Sequence, residues 1–195
     1  MKKRFTLVEV LAVVFLIGLL TAIGFGMYSY AMNSAKEKAT RSLFARLEAA
    51  IESCNTKFGY IPTSNGNKFN VIKITRNSDG EITKLDFGGR SFDNSSSVQA
   101  EKDYFKEFMR VIDAETLKKN LKKNGSTYDV IDSWGETIYY CYPGKFNKTS
   151  YDFYSLGPDG RMGKTSDAFD KDVLDAGTDK FKEDNSMACD DIVNF

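Results

Sequence analysis

The chain has 195 residues, with 27 basic and 27 acidic side chains and no formal net charge. It contains no histidine, which excludes a Ser-His-Asp or Cys-His catalytic centre and a His-ligated zinc site. The sequence also has no glycine-rich motif of the kind that cradles phosphate groups. These exclusions leave structural and binding roles as the simplest classes of function.

An apolar segment stands at the beginning of the chain. It runs from Phe5 to about Tyr28 and follows the basic residues Lys2, Lys3 and Arg4. A bilayer core of about 30 Å needs on the order of 20 apolar helical residues, so this segment is long enough to cross a membrane. The positive-inside rule places the basic end in the cytoplasm and the rest of the chain on the other side.

Glu9 lies near the start of this apolar segment. Burying a lone charge in hydrocarbon costs roughly 2.5 kcal/mol or more, so we expect Glu9 to pair with a cation. An ordinary membrane anchor has no use for such a group, and the segment is therefore predicted to do more than anchor the chain.

The helical pattern continues beyond the apolar segment. Residues 29–58 contain no proline or glycine, and we predict one helix from Phe5 to about Lys57. The alternative is a secretory leader that is cleaved after a small-residue site near Ala31 or Ala35. The apolar region of such a leader is usually about 7 to 15 residues long, which is shorter than the apolar segment here. The predicted buried face consists of Ala35, Ala39, Leu43, Leu47, Ala50, Ile51, Cys54 and Phe58.

The middle of the chain, about residues 65–125, begins with a hairpin pattern. Residues 69–75 and 81–87 are rich in β-branched and aromatic side chains, and polar turn residues separate them. Residues 88–97 are rich in glycine, serine and asparagine and predict a mobile loop.

Residues 101–124 predict a helix that breaks near Asp113 and ends at Asn124-Gly125. The end of this helix carries four lysines, which would complement the helix dipole. We favour that interpretation over a nucleic-acid patch. The lysines are Lys118, Lys119, Lys122 and Lys123.

Both ends of the chain resemble one family. The string Arg4-Phe5-Thr6-Leu7-Val8-Glu9-Val10-Leu11 closely resembles the N-terminus of type IV pilins and of the pseudopilins of type II secretion systems. Residues 132–140 resemble the Asp-Pro-Trp-Gly turn and following strand of major pseudopilins. Residues 154–160 resemble their Ser-Leu-Gly-x-Asp-Gly loop, and residues 190–195 their acidic-Ile-x-Asn-aromatic terminus. The C-terminal motifs point to the major pseudopilin, general secretion pathway protein G.

The resemblance implies an α+β, pilin-like fold, in which one long N-terminal helix, transmembrane in its first half, packs on a small antiparallel β-sheet. It divides the chain into a prepilin leader, residues 1–4, a transmembrane and filament-core half-helix, residues 5–28, and an extracytoplasmic pilin-like domain, residues 29–195. That domain would include the inserted middle and an acidic C-terminal loop, residues 156–195. The protein would then be a single-pass protein of the bacterial inner membrane with its globular domain in the periplasm.

The resemblance also implies processing at the N-terminus. A prepilin peptidase would cut between Arg4 and Phe5, and the new N-terminal Phe5 would be methylated. Glu9 would pair with the N-terminal amine of a neighbouring subunit, which would supply the expected cation. The residue before the cut is usually glycine in the family, and here it is Arg4.

The function implied is that of a structural subunit and not of an enzyme. Copies would polymerise into a pseudopilus, together with minor pseudopilins and an inner-membrane secretion platform, and drive the export of folded proteins. No nucleic-acid partner is expected. The alternative is a type IV pilus subunit for adhesion, motility or DNA uptake, and a single-pass or secreted binding domain is an alternative from a different class.

The acidic C-terminal loop is the candidate for metal binding. Residues 152–195 carry eleven acids and five bases, and hard cations take oxygen ligands from such irregular chain. In major pseudopilins this loop binds Ca²⁺, and the resemblance assigns Asp159, Asp190, Asp191 and the Leu156 carbonyl as ligands. The loop has some 25 extra residues whose aspartates offer substitute ligands, and a solvated loop without metal is the alternative. Those aspartates are Asp167, Asp170, Asp172, Asp175 and Asp179.

Three cysteines lie on the extracytoplasmic side of the predicted membrane segment, where disulfides persist. A disulfide between Cys141 and Cys189 would tie the enlarged loop to the sheet and contribute on the order of 4 kcal/mol. Cys54 lies on the predicted buried face of the first helix, where we expect a core thiol.

Overall fold

The structure is a computed structural model, and it describes residues 7–160 and 192–194. The described chain forms three α-helices, nine β-strands and two short 3-10 turns. The helices are α1 (Leu7–Phe58), α2 (Gln99–Ile112) and α3 (Ala114–Lys118). The strands are β1 (Asn70–Val71), β2 (Lys73–Arg76), β3 (Ile82–Asp86), β4 (Ser91–Asp93), β5 (Leu121–Asn124), β6 (Thr127–Val130), β7 (Tyr139–Cys141), β8 (Asp152–Ser155) and β9 (Ile192–Val193).

The chain divides into two compact units, Met1–Lys38 and Ala39–Phe195. The first unit contains the apolar half of α1. Its described large apolar side chains are exposed, from 41% at Met32 to 80% at Leu7. The hydroxyl of Thr21 donates to the carbonyl oxygens of Ile17 and Gly18, both at 2.9 Å, so this polar group is satisfied within the helix. By length and composition, α1 is a candidate membrane span.

In the second unit, the remaining part of α1 buries one face in the core. Leu43, Leu47, Ile51 and Cys54 are at most 3% exposed, and their spacing of three or four residues places them on one side of the helix. This part of the predicted face is confirmed. Ala35 and Ala39 are exposed, so the predicted face extended too far towards the N-terminus.

Two antiparallel sheets pack in the second unit. The first has the strand order β1-β7-β8-β9, and the second has the order β4-β3-β2-β6-β5. Side chains from both sheets join α1 and α2 in one hydrophobic cluster. The α+β class and the long helix packed on antiparallel sheet are as predicted. The single small sheet becomes two sheets, because the strands of the middle segment pair mainly with one another.

The predicted hairpin of the middle segment is present as β2 and β3. The two strands are antiparallel with Arg76 opposite Ile82. In the turn between them, the side-chain oxygen of Asn77 accepts from the amide of Glu81 at 2.8 Å, and Gly80 adopts a positive φ of 79°. Glycine adopts this conformation at no steric cost, so the polar turn residues end β2 and start β3.

The helix predicted over residues 101–124 is wrong in its second half. The predicted break is present at Asp113, which has a positive φ of 66° and caps α3 by accepting from the amide of Thr116 at 3.2 Å. Beyond α3, however, the chain forms β5, with Asn124 opposite Thr127 in β6. Asn-Gly is a hairpin signal as well as a helix stop, and here Asn124 ends β5 while Gly125, with a positive φ of 62°, and Ser126 form the two-residue hairpin loop. Exposed lysines therefore line an edge strand, which protects it from further pairing.

The predicted mobile loop, residues 88–97, is also wrong, since it contains β4. Phe92 lies opposite Leu85 and is fully buried. Its ring stacks on that of Tyr104 with centroids 3.9 Å apart. The segment is therefore ordered by the pairing of β4 with β3 and by the buried ring of Phe92, which the polar residues around it hide in the sequence.

Candidate functional site

Glu9 lies in the first turn of α1, as the structure describes this helix. An acidic side chain at this position is favourable because the N-terminal end of a helix carries a partial positive charge. Glu9 is exposed, as are its apolar neighbours Val8 and Val10. Arg4 and Phe5, the predicted processing residues, lie outside the described residues.

The Asp-x-Trp-Gly motif forms a tight turn around the buried carboxylate of Asp132. One oxygen accepts from the amides of Trp134 at 2.8 Å and Glu136 at 2.9 Å, and the other accepts from the hydroxyl of Ser155 at 2.6 Å. Asp132 is only 2% exposed. All three bonds satisfy a charge that would otherwise be costly to bury, so the motif joins this turn to β8.

The same turn is joined to α1. The amide of Ser133 donates to the hydroxyl of Thr40 at 3.1 Å, and Thr40 is fully buried. Among the residues of α1 whose burial the structure describes, Thr40 is the first that is buried. The turn therefore lies where the helix enters the core of the second unit.

The start of the predicted calcium loop is held by Ser155. Its hydroxyl accepts from the amide of Gly157 at 3.3 Å while it donates to Asp132. Leu156 is 5% exposed and precedes a 3-10 turn, Gly157–Asp159. Asp159 lies in this turn, but its side chain is outside what the structure describes. The backbone that carries the Leu156 carbonyl is thus fixed by hydrogen bonds on both sides.

Asp190 and Asp191, the other predicted ligands, lie outside the described residues, but β9 follows them directly. Ile192 pairs with Ser155 and Val193 pairs with Tyr154. This register places Ile192, the first residue of β9, at the end of β8 that Leu156 follows. Carboxylates and a backbone carbonyl are the donors that Ca²⁺ prefers, but the side chains of the three predicted aspartates lie outside the described residues, so the ligand set stays a prediction. Within residues 7–160 and 192–194, no three metal-ligating side chains lie together.

Cys141 is buried in β7. Its sulfur lies 3.3 Å from the carbonyl oxygen of Pro143 and 3.7 Å from the hydroxyl of Ser64. Cys189 lies outside the described residues, so the disulfide between these two cysteines stays a prediction. Cys54 is the predicted core thiol: it is fully buried, and its burial raises the pKa of the thiol to about 12.

A carboxylate that the sequence analysis did not identify joins α1 to α2. Glu107 is 7% exposed and accepts from Ser53 at 2.8 Å and from Lys57 at 3.0 Å, both on α1. It also pairs with Arg110 on its own helix. The hydrogen bonds from Arg110, Ser53 and Lys57 lower the pKa of Glu107 to about 2. The spacing of Glu107 and Arg110 was visible in the sequence, but their partners on α1 were not.

The described chain is an α+β protein of pilin-like layout, and it contains one candidate membrane helix. Residues 111–175 match the model of the family described as "Type II secretion system (T2SS), protein G". The match covers about a third of the chain and supports the resemblance to major pseudopilins. That family consists of structural pseudopilins, not of enzymes.

The match covers the Asp132 turn and strands β5 to β8. It begins at Val111, inside the middle segment for which the sequence analysis found no resemblance. Together with the apolar half of α1, it fits a single-pass inner-membrane protein. No curated protein and no solved structure matches the chain.

Proposed function

We propose that the chain is a structural subunit of the pseudopilus of a type II protein secretion system. The observation that carries this proposal is the family match at residues 111–175 in a chain whose first helix begins with an exposed apolar half. The globular domain would lie in the periplasm, and the helix would hold it to the inner membrane before assembly.

The exposed apolar half of α1 is the part that would assemble. Its large side chains, such as Phe15 at 73% and Leu20 at 63%, are exposed within the single chain. Apolar surface of this extent requires lipid or protein around it. Lipid would cover it in the membrane, and the equivalent helices of other copies would cover it in the filament.

Processing would convert the anchored precursor into the assembling subunit. Prepilin peptidase would cut between Arg4 and Phe5 and methylate the new N-terminus. The location of Glu9 in the first turn of α1 supports a role near that N-terminus, where its carboxylate would pair with the Phe5 amine of a neighbouring copy. An ion pair within an apolar filament core is costly unless its partner is correctly placed, so this pair would set the axial register.

The C-terminal loop would bind Ca²⁺ through Asp159, Asp190, Asp191 and the Leu156 carbonyl. The pairing of Ile192 with Ser155 supports this set, because it brings the chain after Asp191 beside the start of the loop. A bound cation would supply charge neutralisation in an acid-rich loop and would stabilise the folded domain by mass action. A disulfide between Cys141 and Cys189 would hold the same loop to β7.

In the export process, the filament would act as a piston or plug that moves folded substrates towards the outer membrane. Minor pseudopilins would join it, and the inner-membrane platform would add subunits with energy from a cytoplasmic ATPase. The protein's own contribution would be binding and assembly, which agrees with the structural character of the matched family.

Crosslinking in intact membranes tests the assembly role. The full chain is produced with its secretion platform, treated with an amine-reactive crosslinker and separated by size. Wild type should give a ladder of multimers, whereas Glu9→Leu should insert into the membrane equally well but give monomer. Glu37→Leu serves as the control, because it removes an exposed acid from α1 outside the apolar half. A normal ladder from Glu9→Leu would refute the register role, and a monomeric wild type would refute the polymer.

A further inference from the structure

Two exposed tyrosines lie where the apolar part of α1 ends. Tyr28 is 65% exposed and Tyr30 is 79% exposed. From Leu7 to Tyr28 the helix rises about 32 Å at 1.5 Å per residue, which matches the hydrocarbon thickness of a bilayer, about 30 Å. Tyrosine has an apolar ring and a polar hydroxyl and is enriched where hydrocarbon meets headgroups. The two tyrosines therefore lie at the level where a membrane-spanning α1 would leave the hydrocarbon.

The two tyrosines lie on opposite sides of the helix. Successive residues are about 100° apart around an α-helix, so Tyr28 and Tyr30 are about 200° apart. A helix that lies flat in the membrane surface would immerse one ring and lift the other out. A helix that crosses the membrane steeply places both rings at nearly the same level. The tyrosine pair thus fits a crossing helix better than a surface helix.

Two lysines follow the tyrosines along the helix. Lys36 comes eight residues after Tyr28, and Lys38 comes eight residues after Tyr30, which is about 12 Å along the axis. The headgroup layer beyond the hydrocarbon is about 5 to 8 Å thick. Helical side chains are tilted towards the N-terminus of the helix, so both lysine side chains lean back towards the tyrosines. Their long stems therefore bring the ammonium groups within reach of headgroup phosphates.

The charge around these lysines favours an anionic partner. Within the part of the chain that the structure describes, neither Lys36 nor Lys38 forms an ion pair. Lys38 is exposed and Lys36 is partly exposed. Residues 28–41 contain three bases and one acid, Glu37, so this stretch has a net positive charge. Basic groups next to a membrane segment are attracted to anionic lipids.

We propose that Lys36 and Lys38 bind the headgroups of anionic phospholipids on the periplasmic surface of the membrane, with Tyr28 and Tyr30 at the boundary between hydrocarbon and headgroups. These four residues form a lipid-binding collar around α1. The collar holds the subunit at a fixed depth in the membrane until it enters the filament. The membrane location rests on the proposed function, and the preference for anionic headgroups goes beyond it.

Lipid retention by the full chain tests the preference for anionic headgroups. The protein is placed in non-ionic detergent micelles with equal amounts of phosphatidylglycerol and phosphatidylcholine, and the lipids it retains are counted by native mass spectrometry. Wild type should retain phosphatidylglycerol preferentially. The double variant Lys36→Gln with Lys38→Gln should lose at least about tenfold of that preference, because each lysine at a lipid surface contributes about a factor of five. The matched control, Lys106→Gln with Lys148→Gln, removes two exposed lysines of the second unit and should leave the preference unchanged.

Fluorescence quenching in phospholipid vesicles tests the level of the tyrosines. Tyr28→Trp keeps an amphipathic aromatic ring at this position, and subtracting the wild-type signal removes the emission of Trp134, the one native tryptophan. Lipids brominated near the headgroup should quench Tyr28→Trp more strongly than lipids brominated near the chain end. Leu16→Trp, at an exposed position well inside the apolar half, should show the opposite order. The same order in both variants would overturn the placement of the collar.

Alkaline carbonate extraction of the same vesicles separates failure of this inference from failure of the proposed function. A chain that carbonate extracts does not span the membrane, and both would then fail. An inserted chain that retains the two lipids equally would overturn the lipid preference and leave the proposed function intact. A Lys36→Gln, Lys38→Gln variant that keeps its preference for phosphatidylglycerol but loses crosslinked multimers in intact membranes would assign the lysines to contacts between copies, and the lipid proposal would be wrong.

Discussion

The two parts of α1 differ in every respect except secondary structure. In the first unit, Met1–Lys38, the described large apolar side chains are exposed. In the second unit the helix is amphipathic, and one face, from Thr40 to Cys54, is buried in the core. The second part is stabilised by packing within the chain, whereas the first part needs lipid or other copies around it. The same helix can therefore belong to a folded domain and to an assembly.

Replacing a leucine by alanine in each part of α1 should give the largest difference in the free energy of unfolding. Leu47→Ala should lower the free energy of unfolding by about 2 to 5 kcal/mol, because it leaves a cavity in the core. Leu16→Ala, at a position that is 56% exposed, should leave it unchanged. The measurement is urea unfolding in non-ionic detergent, followed by the fluorescence of Trp134, the one tryptophan of the chain. Equal losses from the two variants would contradict the division of the helix.

Acid titration should show how α2 is held to the second part of α1. The pKa of Glu107 is lowered from 4.5 to about 2, so its bonds stabilise the fold fully above about pH 4.5. That stabilisation should be lost as the pH falls from 4.5 towards 2. Melting temperatures of wild type and Glu107→Gln should therefore differ at pH 6 and converge across this range. A difference that stays constant with pH would show that the charge of Glu107 is not the stabilising feature.

Two Thr→Val variants, one in each part of α1, should give the smallest effects on stability and the most closely matched comparison. Thr40→Val removes the acceptor of the Ser133 amide and should lower the free energy of unfolding by about 1 kcal/mol. Thr21→Val removes a hydroxyl that bonds only to its own helix and should change the value by less than about 0.5 kcal/mol. The same urea titration measures both. A larger loss from Thr21→Val than from Thr40→Val would contradict the account.

The parts of the fold that the sequence predicted correctly are those with local signals. The helical spacing of apolar residues identified the buried face of α1. Polar turn residues between two β-branched runs identified the hairpin of β2 and β3. The signals that failed were ambiguous or long-range. Asn124-Gly125 suits both a helix end and a hairpin, and β4 is a three-residue strand, too short for its alternating pattern to be recognised.

The long-range contacts of the candidate site were likewise not predictable from the sequence. The motif around Asp132 was recognisable in the sequence, but its bonds reach Ser155 and, through Ser133, Thr40, which lies 93 residues away. Glu107 had a visible partner in Arg110, yet its bonds to Ser53 and Lys57 span 54 and 50 residues. Such contacts depend on how the helices pack, which no local pattern specifies.

The mass of the N-terminal peptide, from protein extracted from its native membrane, tests the central claim most directly. The account predicts a peptide that begins with methylated Phe5, which would establish processing by prepilin peptidase with Arg4 before the cut and would release the subunit for assembly. A peptide that begins at Met1 would leave a plain membrane anchor, and one that begins near Met32 or Lys36 would make the protein a secreted domain. Either of these results would contradict the assignment to a pseudopilus.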